Sequence, residues 1–204
     1  QKRWLKKRSD ILGMRFGFPK IMGILNVTPD SFSDGGNHLK LNAALNQAKF
    51  MEENGVDIID IGGESTRPGA LTVPVSEEIK RIEPVINAIS AGSKIPISVD
   101  TRKSEVASAA RKAGAFMVND VSGFTFDPRL LPFCAEYKLP VCVMHMKGSP
   151  ENMQNNPKYE NVLIEVFDFL ENQIGRLVQA GIPRDQIIAD VGIGFGKNIE
   201  HNLA

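Results

Sequence analysis

The chain has 204 residues, a length that suits one domain, and its 42% hydrophobic content is enough for a sizeable core. Its 24 basic and 24 acidic residues cancel, so no global field draws it to nucleic acid or to a lipid surface. No run approaches the roughly 18 apolar residues of a membrane span, and no apolar h-region marks a signal peptide. The two cysteines, Cys134 and Cys142, form neither a CxxC pair nor a disulfide framework, which favours packed, reduced thiols in a cytoplasmic compartment.

Lys2, Arg3, Lys6, Lys7 and Arg8 precede the first acid, Asp10, so residues 1–18 read as a basic leader or linker and 19–204 as the folded domain. The first apolar run, 21–25, stops at Asn26. A helical pattern over 40–54 follows, with Gly55 where a C-terminal cap belongs. The second run, 58–61, gives way to Gly62-Gly63-Glu64-Ser65-Thr66-Arg67-Pro68-Gly69. Residues 76–91 read as a helix opened by a near-capping Ser76 and Glu78 and closed at Gly92. Run 95–99 stops at Asp100, and helix 103–113 ends at Gly114. Run 116–118 stops at Asn119-Asp120, and Asp127-Pro128 opens a short helix to Lys138. Run 141–144 stops at His145, and the longest helix, 159–180, is closed by Gly181 and Pro183. The last run, 187–189, stops at Asp190.

Strands alternating with helices imply parallel pairing, and strands apolar nearly throughout imply a sheet covered on both faces. A doubly wound sheet and a (β/α)8 TIM barrel both fit. The barrel is favoured because no GxGxxG follows the first strand and polar residues end every strand rather than only those at a switch point. A complete barrel takes about 250 residues. About six β/α units are present, so the C-terminal units are expected to be missing from this chain.

The strand ends carry the chemistry. Asn26 can offer an amide oxygen to a hard cation such as Mg²⁺, or can simply cap local backbone. The loop after it is long and polar, with Phe32 as an exposed-looking aromatic suited to a lid over a flat substrate. In the 62–69 loop, backbone amides, two hydroxyls and a guanidinium offer the donors a phosphate needs, although a plain turn fits equally. Asp100, Asn119 and Asp190 suit a ligand rich in N–H donors, such as a 2-amino-4-oxo pyrimidine edge; a general base or a structural ion pair remains open for either aspartate. His145 lacks the companions of a metal site and reads as packed, with Met144 and Met146 as soft packing under a flat ring. No Ser-His-Asp or Cys-His ordering supports covalent catalysis.

Residues 22–36 (MGILNVTPDSFSDGG), 61–70 (IGGESTRPGA), 98–101 (SVDT), 118–120 (VND), 144–146 (MHM) and 192–197 (GIGFGK), in this order, resemble the dihydropteroate synthases of folate biosynthesis. The resemblance runs from about Pro19 to Ala204. It implies a (β/α)8 barrel and a homodimer. The implied activity is that of a transferase and sulfonamide target that condenses 6-hydroxymethyl-7,8-dihydropterin pyrophosphate with p-aminobenzoate. Carried over residue by residue, it implies that Asp100, Asn119 and Asp190 bind the pterin edge while Met144 and Phe195 line the ring. Asn26 would ligate Mg²⁺, Thr66 and Arg67 would hold the diphosphate, and Ser31, Phe32, Asp34 and Pro68 would help form the p-aminobenzoate site. Asp100, Arg67 and Asn26 are thereby the catalytic candidates, in a dissociative reaction that needs no enzyme nucleophile.

The chain departs from the family pattern at Val191, where a proline is usual, and it contains neither the Ser-Arg-Lys-Ser nor the Arg-x-His segment of the last two strands. It is therefore expected either to be inactive alone or, the preferred reading, to be part of a longer polypeptide. The basic leader would suit a linker from an upstream pyrophosphokinase domain. Two rivals stand: a pterin-binding barrel of the corrinoid methyltransferase kind, disfavoured by the 26–36 loop, and a non-catalytic pterin-binding paralogue.

Overall fold

The computed structural model describes residues 10, 11, 14, 18–28 and 37–204, without the side chains of 37–40. Six strands, β1 (Met22–Asn26), β2 (Ile58–Gly62), β3 (Ile97–Asp100), β4 (Met117–Asp120), β5 (Val141–Met144) and β6 (Ile187–Asp190), alternate with helices. These are α1 (Asn37–Glu53), α2 (Val75–Gly92), α3 (Ser104–Ala113), α4 (Leu130–Glu136), α5 (Val162–Gln179) and α6 (Ile199–Leu203). Every strand pairing is parallel, and the sheet runs β1-β2-β3-β4-β5-β6. Strands laid down in chain order are the winding of a barrel; a doubly wound sheet reverses direction partway. The molecule therefore presents six consecutive units of a (β/α)8 barrel, as its sequence implies.

Side chains alternate between the two faces of each strand, and the two faces bury different things. Leu25, Ile59, Ile61, Ile97, Val99 and Val143 face outward into one large core with Ile82, Ile86, Val106, Leu130 and Leu177 of the helices. Ile58, Met117 and Cys142 face inward and form a smaller cluster with Met14, Met22 and Ile188. Fully burying each such aliphatic side chain contributes about 1.5–3 kcal/mol, and the outer core accordingly carries most of the sheet's stability. Met14, within the stretch read as leader, packs on the inner cluster, and Ile11 is buried beside it.

Gly55, Gly114 and Gly181, expected to stop helices, all have positive φ. The expected start of α2 needs correction. The helix begins one residue before Ser76, its N-cap is Pro74 with no side-chain cap bond, and Glu78 is buried in an ion pair instead of closing a capping box. The short helix expected from Asp127 to Lys138 is trimmed to Leu130–Glu136, with Arg129 at its N-cap and no side-chain cap bond, while Asp127 holds the turn before it and the start of α3. One oxygen accepts from Arg129 N and the other from the backbone N–H and hydroxyl of Ser104, the first residue of α3.

Candidate active site at the carboxyl ends of the strands

Register links the site across four strands. Asn26 pairs with Gly62, Gly62 with Asp100, and Asp100 with Asn119. Asn119 pairs in turn with Cys142 of the inner cluster, so this whole row projects toward the barrel interior. One step higher on the same face, Met144 pairs with Asp190. Gly62 separates two polar groups: a Cβ built there would lie 3.4 Å from Asn26 Oδ1 and 3.5 Å from Asp100 Oδ2. Without it, the space between amide and carboxylate is open.

The centre of this row gathers carboxylates whose charges are unfavourable to one another. Asp100's carboxylate makes no hydrogen bond among the described residues, while burial and the neighbouring carboxylates of Asp60 and Asp120 hold its pKa well above the ordinary range. Beneath it, on the same face of β2, Asp60 is buried and its pKa is likewise raised by burial. Asp60 Oδ2 accepts a hydrogen bond of 2.8 Å from Asn119 Nδ2. Asp60 Oδ1 and the hydroxyl of its register partner Ser98 complete no hydrogen bond, although that hydroxyl is close enough to draw the carboxyl pKa down somewhat. Asp120 points to the other face and ties down its own turn, accepting from Ser122 N, Ser122 Oγ and Phe124 N.

The loop after β2 is held from below by a buried ionic lattice. Lys103 Nζ donates to Glu64 Oε2 at 2.6 Å, to Glu78 Oε2 at 2.5 Å and to the Val73 carbonyl at 2.7 Å. Glu64 also pairs with Arg102 and accepts from Val73 N, and Glu78 accepts from the Thr101 hydroxyl. Burial pushes the Glu64 carboxyl up, but the donors around it outweigh that and leave it below its ordinary pKa. For Glu78 burial wins and the pKa is raised. Arg102, two residues past Asp100, is thus committed to Glu64 and stacks over Phe126 at 4.3 Å; it does not neutralise Asp100. Above this lattice Arg67 is exposed and its guanidinium has no ion pair among the described residues, with half-buried Thr66 beside it. Gly69 N donates to the Pro150 carbonyl, joining this loop to the one after β5.

The loops after β5 and β6 are clamped by Lys197. This buried ammonium donates to the carbonyls of Gly192 (2.9 Å) and Phe195 (3.2 Å) and sits 2.9 Å from His145 Nδ1. The approach is so close that a Cβ on Gly192, at φ +68, would lie 2.0 Å from the His145 carbonyl oxygen. Only glycine fits there. The clamp holds the turn that carries Phe195, and at its start Asp190 accepts from Gly192 N at 2.7 Å.

Burial and the Lys197 and Lys147 charges depress the His145 pKa to about 4, while burial pulls Lys197 down to about 8. Neutral His145 therefore accepts from charged Lys197 at neutral pH. The unfolded chain binds the histidine proton more readily than the folded one between its ordinary pKa of 6.5 and 4, so stability falls as pH drops through that window. Urea midpoints at pH 7 and pH 4.5 should show a smaller acid loss in His145→Gln than in the parent. An equal loss in both would contradict this role.

The structure thus brings Asn26, Asp100 and Asn119 into one row, with Met144 and Asp190 just above and Phe195 on the adjoining turn. Thr66, Arg67 and Pro68 lie on the loop that rises from the row's centre at Gly62. Ser31, Phe32 and Asp34, expected at the p-aminobenzoate site, lie outside the described residues. Asp60, the Glu64–Lys103–Glu78 lattice and the Lys197 clamp were missed. For Asp60 a signal existed, a lone charge inside the apolar run 58–61.

Comparison with known proteins shows the family and the fold. The family model described as "Pterin binding enzyme" matches residues 22–204. The dihydropteroate synthase of Escherichia coli K12 is 50% identical over 186 residues, covering 91% of this chain and 66% of that protein. The chain therefore spans just under two-thirds of that relative's length. Among solved structures, the Xanthomonas albilineans dihydropteroate synthase with 4-aminobenzoic acid superposes with a TM-score of 0.88 at 45% identity, over 97% of this chain and 70% of that one. The Yersinia pestis dihydropteroate synthase with a sulfonamide drug gives 0.87 at 43%, over 96% and 72%. A site row on the inner face of a parallel barrel, in a sequence half identical to such a relative, leads to one assignment: the chain belongs to the pterin-binding enzyme family.

Proposed function

We propose that this chain belongs to a dihydropteroate synthase, joining 6-hydroxymethyl-7,8-dihydropterin pyrophosphate to p-aminobenzoate with release of pyrophosphate. The observation that carries this reading is the half-buried Asp100 carboxylate beside Asn119, without a hydrogen bond among the described residues, on the same rim as the Arg67 guanidinium, which has no ion pair among them. Two acceptors select a ring edge of N–H donors, and an exposed guanidinium suits a diphosphate.

Asp100, Asn119 and Asp190 hold the pterin edge, with the ring between Met144 and Phe195. Arg67 and Thr66 hold the diphosphate. The bond between the pterin methylene and oxygen breaks, pyrophosphate departs with the electron pair, and the carboxylates at the strand ends stabilise the positive charge left on the methylene. The arylamine nitrogen then forms the new C–N bond and gives up a proton to solvent. The donor set fits Mg²⁺: Asn26 supplies one amide oxygen at an open gap, and this ion characteristically takes few protein ligands plus phosphate oxygens and water. When bound, it supplies charge neutralisation on the departing diphosphate.

The reading extends to a homodimer and to a cytoplasmic location, where the buried free thiols of Cys134 and Cys142 stay reduced. Among the described residues no helix is long and apolar enough to cross a membrane. It also admits an upstream pyrophosphokinase domain in the longer polypeptide.

Incubating the full-length protein with dihydropterin pyrophosphate, Mg²⁺ and p-aminobenzoate tests the activity. Dihydropteroate is the expected product; pterin binding without product would instead favour a non-catalytic paralogue or a methyl-carrier barrel. In the same assay Phe32→Ala should mainly raise KM for p-aminobenzoate, severalfold, with KM for the pterin nearly unchanged. A parallel rise in both would contradict the division of labour between the loop and the strand ends.

A further inference from the structure

We infer that Asp60 is a positioning residue for ligand recognition: its carboxylate fixes the Asn119 amide so that Oδ1 faces the site as an acceptor. This rests on the proposal that the site binds a pterin. An asparagine amide is nearly symmetric in shape, so steric packing alone does not decide which end faces a ligand. The choice matters, because an amide presenting its NH2 would repel the donor-rich edge that an amide presenting its oxygen selects.

Asp60 makes the choice chemically. It lies on the inner face of β2, 1% exposed, two residues below Gly62 and therefore one layer beneath Asp100 and Asn119. Asn119 Nδ2 donates to its Oδ2 at 2.8 Å. A carboxylate has no proton to give, so only the NH2 end can face it. If Asp60 takes up a proton, that proton belongs on Oδ1, the oxygen without a partner. Oδ2 then remains an acceptor, and the amide orientation is the same in both states.

The arrangement also accounts for a costly feature. A carboxyl buried with one oxygen unsatisfied is unfavourable for stability, and a leucine would complete the inner cluster of Ile58, Met117 and Cys142. Placing an acid there is intelligible if it orients the group above it.

A double-mutant cycle on the full-length protein, read by calorimetric titration with dihydropterin pyrophosphate and Mg²⁺, tests this. Asp60→Leu should weaken binding by about 10- to 100-fold in the parent and by less than about threefold in an Asn119→Ala background. Asp60→Asn, which keeps an accepting oxygen, should stay within about threefold of the parent. Equal losses in both backgrounds, or an Asp60→Asn loss as large as that of Asp60→Leu, would overturn the inference. An independent readout needs no Asp60 variant. The Asn119 side-chain NH2 resonances, assigned by their loss in Asn119→Ala, should be protected from solvent exchange in the ligand-free protein; protection appearing only with ligand would overturn it too. Failure of the parent to bind the pterin would instead refute the proposed function, and the ligand-free resonances would still report the amide's orientation.

Discussion

Asp100→Asn should weaken pterin binding by about 10- to 100-fold while leaving the protein at least as stable as before. The two halves of that expectation have one cause. Asp100 is held among the carboxylates of Asp60 and Asp120 without a hydrogen-bond donor of its own among the described residues. In the ligand-free protein it is therefore a destabilised group, and converting it to a neutral amide relieves repulsion and desolvation. In the proposed complex the same carboxylate would meet N–H donors, and a hydrogen bond to a charged group contributes about 1.5–3 kcal/mol. Calorimetric titration and thermal melting read the two halves separately. A variant that melts much lower than the parent, or that binds the pterin equally well, would show that Asp100 serves the fold and not the ligand.

Lys103→Met should have the largest effect on stability. The substitution leaves Glu64 and Glu78, 8% and 1% exposed in their side chains, facing each other without the ammonium that lies between them. Removing one partner of a buried ion pair costs about 3–5 kcal/mol. For a protein of about 150–250 residues each kcal/mol moves Tm by about 2–4 °C, so a drop of about 6–20 °C is expected. The sign of its pH dependence is fixed by Glu64. Its pKa lies below the ordinary 4.5, so its pairing stabilises the fold above that pH and the contribution is lost as pH falls. The gap between parent and variant should therefore narrow toward pH 4. Adding Glu64→Gln and Glu78→Gln to Lys103→Met should restore part of the lost Tm. A gap that widens in acid, or no recovery in the triple variant, would mean that the lattice is not what fixes this loop. Because the loop carries Thr66 and Arg67, diphosphate affinity should fall along with stability.

The pattern of apolar runs ending in polar residues was legible because a parallel barrel imposes it twice. Strands buried on both faces must be apolar, and the site must lie where they stop. Asn26, Asp100 and Asn119 could be named from that alone, and the register then joined them into one row. Val191 shows the limit of the pattern: it lies exposed beside Asp190, whose carboxylate still accepts from Gly192 N. What stayed hidden was partner choice. The sequence places Arg102 two residues from Asp100 and 38 from Glu64, yet it pairs with Glu64. Glu78 reads as a capping residue because it sits in the first turn of a helix; its partner Lys103 is 25 positions away. His145 reads correctly as packed, but Lys197, which bonds it, is separated from it by a whole β/α unit. Contacts between neighbouring β/α loops are long-range in sequence and carry no local periodicity. Asp60 is the exception, since a charge in the middle of an apolar strand signals its own importance.

The row of inward-facing groups at the strand ends is the central claim, and a crystal structure of the full-length protein with dihydropterin pyrophosphate tests it most directly. The pterin edge should lie within hydrogen-bond distance of the Asp100 carboxylate and of Asn119 Oδ1, with the ring beside Met144 and Phe195 and the diphosphate at Arg67. A pterin bound elsewhere, or one that meets Asn119 through its NH2, would contradict the account.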